Sequence, residues 1–241
     1  MSKRNELVAE LKEMGINAEA IDVMKNGVVC EGIMIPDGSN VNAVMYPNEE
    51  TTAQEVIEVI SNANKKSINE EEIMREEYVR ERVKIGMMRS SAGDKVIRKP
   101  SEFEGIDMFL YVDGDGFAYK LPANYPYDMW KFAEQNTKAD TVFVGMSEML
   151  LGMDTGEDML YVLTNKNQYR GAGCIIDKDT IRNKGIGNKF FAIPSSIHEW
   201  ILMPYSDDFT SENIREIIGA VNTEQVDPEE QLGDYAYILE V

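Results

Sequence analysis

The sequence predicts an α+β fold, in which hairpins build a mixed, mainly antiparallel sheet and several amphipathic helices pack against it. The first observation is a hairpin signal over 107–121, where apolar and aromatic runs flank the turn DGDG. The second is a similar signal at 27–46, where Pro36 and Asp37-Gly38 separate two apolar runs. The third is a set of helical patterns between the hairpins, without the regular alternation of a parallel sheet.

Capping residues and apolar spacing place the first two helices. Ser2 begins a helix that Gly15 ends. The apolar face of this helix follows the spacing i, i+4 and i+7: Leu7, Leu11 and Met14. Thr52 and Glu55 form a capping box, which predicts the start of a second helix.

Polar sequence within 61–105 suggests that the chain has two structural parts. A third helix is predicted over 69–86. We expect an N-terminal α/β part over 1–86 with the hairpin at 27–46, and a C-terminal α+β part over 87–241. The boundary belongs somewhere in 61–105, and the alternative is one compact unit.

The last third has the most regular pattern. Five strands are predicted there: 159–163, 173–176, 190–193, 200–205 and 235–241. Asp177 or Asp179 caps a short helix that ends near Gly185, and Thr210 or Ser211 caps a longer one.

Acidic residues outnumber basic ones, and the excess is uneven along the chain. The formal net charge is −19, from 43 Asp and Glu against 24 Lys and Arg. Ten acidic residues and one basic residue fall in 207–241, whereas 165–205 carries a net positive charge. Because phosphate contacts require clustered Lys and Arg, we expect no direct nucleic-acid binding. The acidic surface favours a basic protein partner.

The expected cellular location follows from the absence of a membrane-spanning stretch and of a secretory signal. No stretch reaches the roughly 18 apolar residues needed to cross a bilayer, and the start MSKRNELVAELKEMG has no apolar core of a secretory signal. The two cysteines, Cys30 and Cys174, lie in apolar runs typical of reduced core residues. We therefore expect a cytoplasmic protein that does not contact membranes.

The segment PSSIHE gathers a hydroxyl, an imidazole and a carboxylate in one short turn. Ser195 or Ser196 as nucleophile, with His198 as base and Glu199 as orienting acid, would make a hydrolase. Adjacency in sequence does not supply the required geometry, and no G-x-S-x-G motif is present. The alternative, which we favour, is a structural turn in which His198 hydrogen-bonds to the main chain.

A thiol or metal centre is the other chemistry to consider. Cys174 and His198 could form a reactive pair, but the glycine and isoleucine beside Cys174 predict a buried thiol. One histidine excludes a two-histidine zinc site within one chain. The turn that begins at Asp113 lacks the later ligands of a calcium loop. We expect no metal and no cofactor.

A glycine turn near 185 is a candidate anion site, because backbone amides and nearby cations can hold a phosphate or carboxylate. The candidate residues are Arg182, Lys184, Gly185, Gly187 and Lys189. The alternative is the end of a helix and a turn before the next strand, which also explains the glycines and the cations.

Four segments of the last third stand out together. They are MLYVLTN (159–165), GAGC (171–174), IPSSIHEWILMP (193–204) and the acidic closing stretch from Asn222. These segments resemble an uncharacterised bacterial family of proteins of unknown function, and KNGVVCEGIMI (25–35) is similar to its N-terminal part. The resemblance implies an intracellular bacterial protein with PSSIHE as a hallmark. It assigns no activity, cofactor or catalytic residue.

Together, these observations favour a non-catalytic binding or regulatory module with an acidic surface. Two alternatives stay open. One is a hydrolase or thiol enzyme centred on the PSSIHE turn and Cys174. The other is an acidic mimic of nucleic acid, which predicts carboxylates spaced like phosphates on one face.

Overall fold

Three antiparallel sheets form the framework of the protein. The computed structural model describes residues 2–38, 42–65, 70–114, 118–153, 156 and 158–241. Helices make up 32% of the structure and strands make up 31%. Every strand pair within the described residues is antiparallel. The prediction of an α+β fold is confirmed.

The N-terminal sheet has three strands in the order β1-β2-β3. Its strands are β1 (Glu19–Lys25), β2 (Val28–Met34) and β3 (Val44–Met45). The predicted hairpin is present as β2 and β3. The preceding strand β1 was not predicted, because its side chains are mostly half-exposed or exposed. Asn26 and Gly27 join β1 to β2 with φ of 47° and 85°, which suits a two-residue hairpin turn.

Two helices pack against this sheet, and they are α1 (Lys3–Glu13) and α2 (Ala53–Lys65). Leu7 and Leu11 of α1 are buried, but Met14 follows the helix and is exposed, so its place on the apolar face was wrong. The capping box that begins α2 is present, since Glu55 N–H and Thr52 Oγ1 lie 3.3 Å apart and Glu55 accepts from Thr52 N–H.

The middle sheet is centred on one long strand. Its strands are β4 (Val83–Arg89), β5 (Arg98–Pro100), β6 (Ile106–Asp113) and β7 (Ala118–Lys120). β6 pairs with β4 along one side and with β5 and β7 along the other. The predicted hairpin over 107–121 is therefore present, although its tip at 115–117 lies outside the described residues.

The helices beside this sheet are α3 (Glu70–Ile73), α4 (Glu76–Arg82) and α5 (Trp130–Asp140). The predicted helix over 69–86 was wrong at its end, because Val83 begins β4. Gly86 lies so close to Phe109 on β6 that a Cβ there would come within 2.6 Å of the ring. Residue 69 lies outside the described residues. The predicted boundary at 86 falls inside β4, and the division into two parts stays a prediction.

The C-terminal sheet has five strands in the order β12-β10-β11-β9-β8. The strands are β8 (Thr141–Gly145), β9 (Tyr161–Asn165), β10 (Lys189–Ser196), β11 (Glu199–Pro204) and β12 (Tyr237–Glu240). Its helices are α6 (Met146–Leu151), α7 (Lys178–Asn183) and α8 (Ser211–Gln225). Asp177 caps α7 and Thr210 caps α8, each by accepting a backbone N–H.

One predicted strand of this region was wrong. The stretch 173–176 belongs to a 3-10 helix, Gly171–Ile176. A short apolar run fits a strand and a buried helical turn equally well. The spacing of its apolar residues therefore could not distinguish the two structures. Tertiary packing decides instead, because this helix contacts β9 and β4.

Asn26 connects the N-terminal hairpin to the rest of the molecule. It is only 5% exposed. Its side-chain amide donates to Gln231 O at 2.8 Å and accepts from Arg89 N–H at 2.7 Å. The turn of the first hairpin is therefore held against both β4 and the C-terminal segment.

Candidate functional site

The PSSIHE segment is a tight turn between two strands. β10 ends at Ser196, and β11 begins at Glu199, which pairs with Ser196. Only Ile197 and His198 lie between them. Ile197 N–H donates to Glu230 O at 2.8 Å, so the acidic segment after α8 also holds the turn.

Both ring nitrogens of His198 have protein partners. Nδ1 accepts the backbone N–H of Arg170 at 3.0 Å, and Nε2 lies 3.1 Å from Oε1 of Glu230. Because Nδ1 accepts a hydrogen bond, the proton of the neutral ring is on Nε2, which donates to the carboxylate. The imidazole is thus tied to the main chain, as the structural interpretation of the turn expected.

The two serines do not reach the imidazole. Ser196 Oγ accepts the backbone N–H of His198 at 3.0 Å, and Ser195 Oγ donates to Glu199 Oε1 at 3.4 Å. Ser195 also lines a different cavity from His198. Within the described residues, the structure therefore does not assemble Ser195, Ser196, His198 and Glu199 into a nucleophile–base–acid relay.

Cys174 also lies apart from the imidazole. It is 1% exposed and belongs to the 3-10 helix. Burial raises the pKa of its thiol to about 12, although a hydrogen bond with Thr141 acts in the opposite direction. A reactive thiol requires an accessible site and a lowered pKa, and Cys174 has neither.

Two of the three cations near the glycine turn at 185 contact other groups of the protein. Arg182 pairs with Asp179 at 2.6 Å, and Lys189 Nζ lies 3.9 Å from the ring centre of Tyr205. Lys184 follows α7 and is exposed. Gly185 and Gly187 have φ of 75° and 140°, which suits a helix end and a turn. The anion site proposed there from sequence remains untested.

His198 lines a cavity of about 110 Å³ that we call the central pocket. Its polar lining comes from segments far apart in the chain and includes Lys25, Lys120, Tyr169, Arg170, His198, Glu229 and Glu230. Lys25 ends β1, Lys120 ends β7, and Arg170 precedes the 3-10 helix. No local motif contains more than two of these residues, so this combination could not be predicted from the sequence.

The cations of the central pocket influence one another. Burial lowers the pKa of Lys120, and the positive charges of Arg170 and Lys25 lower it further, against the effect of Asp94. Lys120 Nζ is 3.2 Å from that carboxylate. Burial likewise lowers the pKa of Lys25, whose Nζ lies 3.4 Å from the ring centre of Tyr46. The pocket is therefore a place where positive charge is costly.

A second cavity, which we call the apolar groove, lies between α8 and the C-terminal sheet and has a volume of about 370 Å³. Its lining is mainly apolar: Leu160, Ile193, Ile201, Met203, Phe209 and Ile214. Met159 lies at its edge and is 66% exposed.

Two further findings concern the described residues alone. No group of three or more His, Cys, Asp or Glu side chains is placed to hold a metal ion. No helix in those parts of the chain combines the length and apolar character that a bilayer crossing requires.

Comparison with known proteins gives one match. No curated protein and no solved structure matches the chain significantly. Residues 127–240 match a model described as a family of unknown function, DUF5688. This stretch runs from just before α5 through β12, and it contains Arg170 and His198 but neither Lys25 nor Lys120. The resemblance to an uncharacterised family is thereby confirmed: over residues 127–240 this chain is similar to DUF5688, a family of unknown function.

Proposed function

We propose that this protein is a non-catalytic binding module whose apolar groove holds a basic amphipathic helix of a partner protein. The observation that carries the proposal is an apolar groove beside exposed carboxylates. Helix-in-groove recognition uses apolar side chains spaced at i, i+3 or i+4 and i+7, which enter one continuous cavity.

The lining of the groove fits such apolar anchors. β10 and β11 supply Ile193, Ile201 and Met203, and α8 supplies Ile214 and Ile218. Methionine side chains adapt to irregular partners, and Met159 and Met203 both line the groove. An exposed apolar cavity of this kind is typical of a binding surface.

Charge near the groove favours a basic partner. Asp207 and Asp208 lie just before Phe209, and Glu212 lies on the first turn of α8; all three carboxylates are exposed. The one basic residue in 207–241 is Arg215, which lies 3.9 Å from Glu212. Complementary charge increases association rates and excludes like-charged partners.

A binding role also agrees with the chemistry of the PSSIHE turn. Both nitrogens of the imidazole have protein partners, and neither Ser195 nor Ser196 donates to the ring. These contacts support a module without a nucleophile at this turn.

The test uses a labelled amphipathic helical peptide of leucine and lysine, with fluorescence anisotropy as the measurement. Met159→Lys places a positive charge at the edge of the groove, and because this side chain is 66% exposed we expect the variant to fold normally. We expect this variant to weaken binding about tenfold, which corresponds to about 1.4 kcal/mol. The matched control, Met14→Lys, changes another exposed methionine and is expected to keep the wild-type affinity.

Three results would contradict the proposal. The first is equal binding of a leucine–glutamate peptide, since the carboxylates should repel it. The second is an equal effect of Met159→Lys and Met14→Lys. The third is self-association in sedimentation that Met159→Lys abolishes, because this result would assign the groove to a second copy of the chain.

A further inference from the structure

Arg170 is a cation without a carboxylate partner in the described part of the chain. Its guanidinium carbon lies 5.6 Å from the ring centre of Tyr169. Its Nε is buried and has no hydrogen-bond partner among the described residues. A buried donor without a partner lowers stability, so this group requires an explanation such as a ligand that accepts its hydrogen bond.

We propose that the central pocket binds a small oxyanion, a phosphate or carboxylate group, on the guanidinium of Arg170. A guanidinium presents parallel N–H donors that match two oxygens of such a group. The cavity of about 110 Å³ suits a small anionic group.

The backbone of Arg170 supports this assignment. Its φ of 52° and ψ of 31° lie in the left-handed region, which is uncommon for a residue with a long side chain. Backbone strain of this kind persists only where the surroundings impose it, and it concentrates at functional sites. The next residue, Gly171, is closely packed, because a Cβ there would lie 2.6 Å from Asn165 N.

His198 holds Arg170 in this conformation. Its Nδ1 accepts the Arg170 N–H, while Thr164 Oγ1 donates to His198 O at 2.8 Å. Asn165 braces the same loop by exchanging two hydrogen bonds with the backbone of Tyr169. We therefore assign His198 as a positioning residue for Arg170, which gives the one imidazole of the chain a role beyond the turn.

The other charges of the pocket leave Arg170 available. Glu230 faces the His198 ring at 3.1 Å, and Asp94 pairs with Lys120 at 3.2 Å. Glu229 is near the thiol of Cys30 and raises its pKa after the larger effect of burial. An oxyanion on Arg170 would also reduce the repulsion that Lys120 and Lys25 experience, which favours binding.

The experiment measures the thermal unfolding midpoint and the affinity for inorganic phosphate and for acetate, at constant ionic strength set with chloride. Arg170→Gly removes the guanidinium and relieves the left-handed backbone, so the variant is expected to fold at least as well as the wild type. The matched control is Gln168→Gly, because Gln168 has the same φ of 52° in the same loop.

We expect phosphate or acetate to raise the unfolding midpoint of the wild type and of Gln168→Gly. Arg170→Gly should lose this shift and bind at least about tenfold more weakly. The anion that gives the larger shift distinguishes a phosphate ligand from a carboxylate ligand.

The role of His198 has its own readout. His198→Asn keeps an acceptor near the position of Nδ1 and should retain most of the affinity, whereas His198→Ala should weaken binding about tenfold. The proposal is overturned if neither anion shifts the wild type, or if Arg170→Gly shows the same shift as Gln168→Gly. Equal affinities of His198→Asn and His198→Ala would remove the positioning role.

Discussion

The single histidine shows how one side chain can serve a turn and a pocket together. His198 contacts Arg170 through Nδ1 and Glu230 through Nε2, and its carbonyl accepts from Thr164. Both ring nitrogens therefore have protein partners. A general base would instead need a free nitrogen directed at a substrate.

Cys174 gives a prediction at the residue scale. Burial raises the pKa of its thiol from 9 to about 12, so near pH 8 the thiolate fraction is about a thousandfold smaller than that of an ordinary thiol. In a Cys30→Ala variant, where Cys174 is the remaining thiol, a chromogenic disulfide reagent should react very slowly with the folded protein. The control in urea should react at once. Rapid labelling of the folded variant would show that Cys174 is accessible.

The same shift in pKa predicts how stability depends on pH. The folded state binds the Cys174 proton more tightly than the unfolded state, so the thiol stabilises the fold below about pH 9. This contribution should be lost as pH rises from 9 towards 12. Cys174→Ala should therefore show a smaller loss of unfolding free energy over this interval, as measured with urea.

The 3-10 helix Gly171–Ile176 illustrates how packing determines an element. Its two glycines lie against other backbone: Gly171 beside Asn165 and Gly173 beside Ile85. A side chain at either position would push the helix away from β9 and β4. The close approach also fixes Arg170, which directly precedes the helix.

Gly173→Ala tests this element. A Cβ at 173 would lie 1.8 Å from Ile85 O, so the helix and β4 must separate. We expect a loss on the order of 3 kcal/mol in the free energy of unfolding, measured with urea. Gly93→Ala is the control, because a Cβ at 93 meets no atom within 4 Å, and it should change stability by less than about 0.5 kcal/mol. Equal effects of the two variants would contradict the close packing.

At the scale of the whole molecule, polar contacts connect elements distant in sequence. Lys84 on β4 donates to Asp113 on β6 and to Asp140 at the end of α5, each at 2.5 Å. Burial acts to lower the pKa of Lys84, but these two carboxylates raise it overall, so the side chain stays charged at neutral pH. The ion cluster therefore holds the middle sheet against α5.

Lys84→Met is the prediction at this scale. It leaves two carboxylates that are only 16–20% exposed without their cation. We expect a loss of about 3 kcal/mol in unfolding free energy, because an uncompensated buried charge is costly. Lys138→Met removes an exposed partner of Glu134 and should cost less than about 0.5 kcal/mol. Thermal and urea unfolding of both variants test this prediction. Similar losses of unfolding free energy in the two variants would show that the cluster at Lys84 does not stabilise the fold.

Local signals in the sequence determined much of the framework. The Asn26-Gly27 turn, the capping boxes at Thr52 and Thr210, and the hairpin over 107–121 depend on residues close together in the chain. Such signals act within a few residues, so the sequence could reveal them. The predictions failed at 83–86 and 173–176, because stretches as short as these fit a helix and a strand equally well.

Only the tertiary structure decided the two candidate sites. The central pocket unites Lys25, Lys120 and Arg170, which belong to different elements and share no motif. Ser195, in β10, lines the apolar groove, whereas His198, in the turn after β10, lines the central pocket. Sequence proximity had suggested that these residues act together. The fold separates them, because Ser195 lines the groove together with α8, whereas Arg170 and Glu230, from distant parts of the chain, contact the His198 ring.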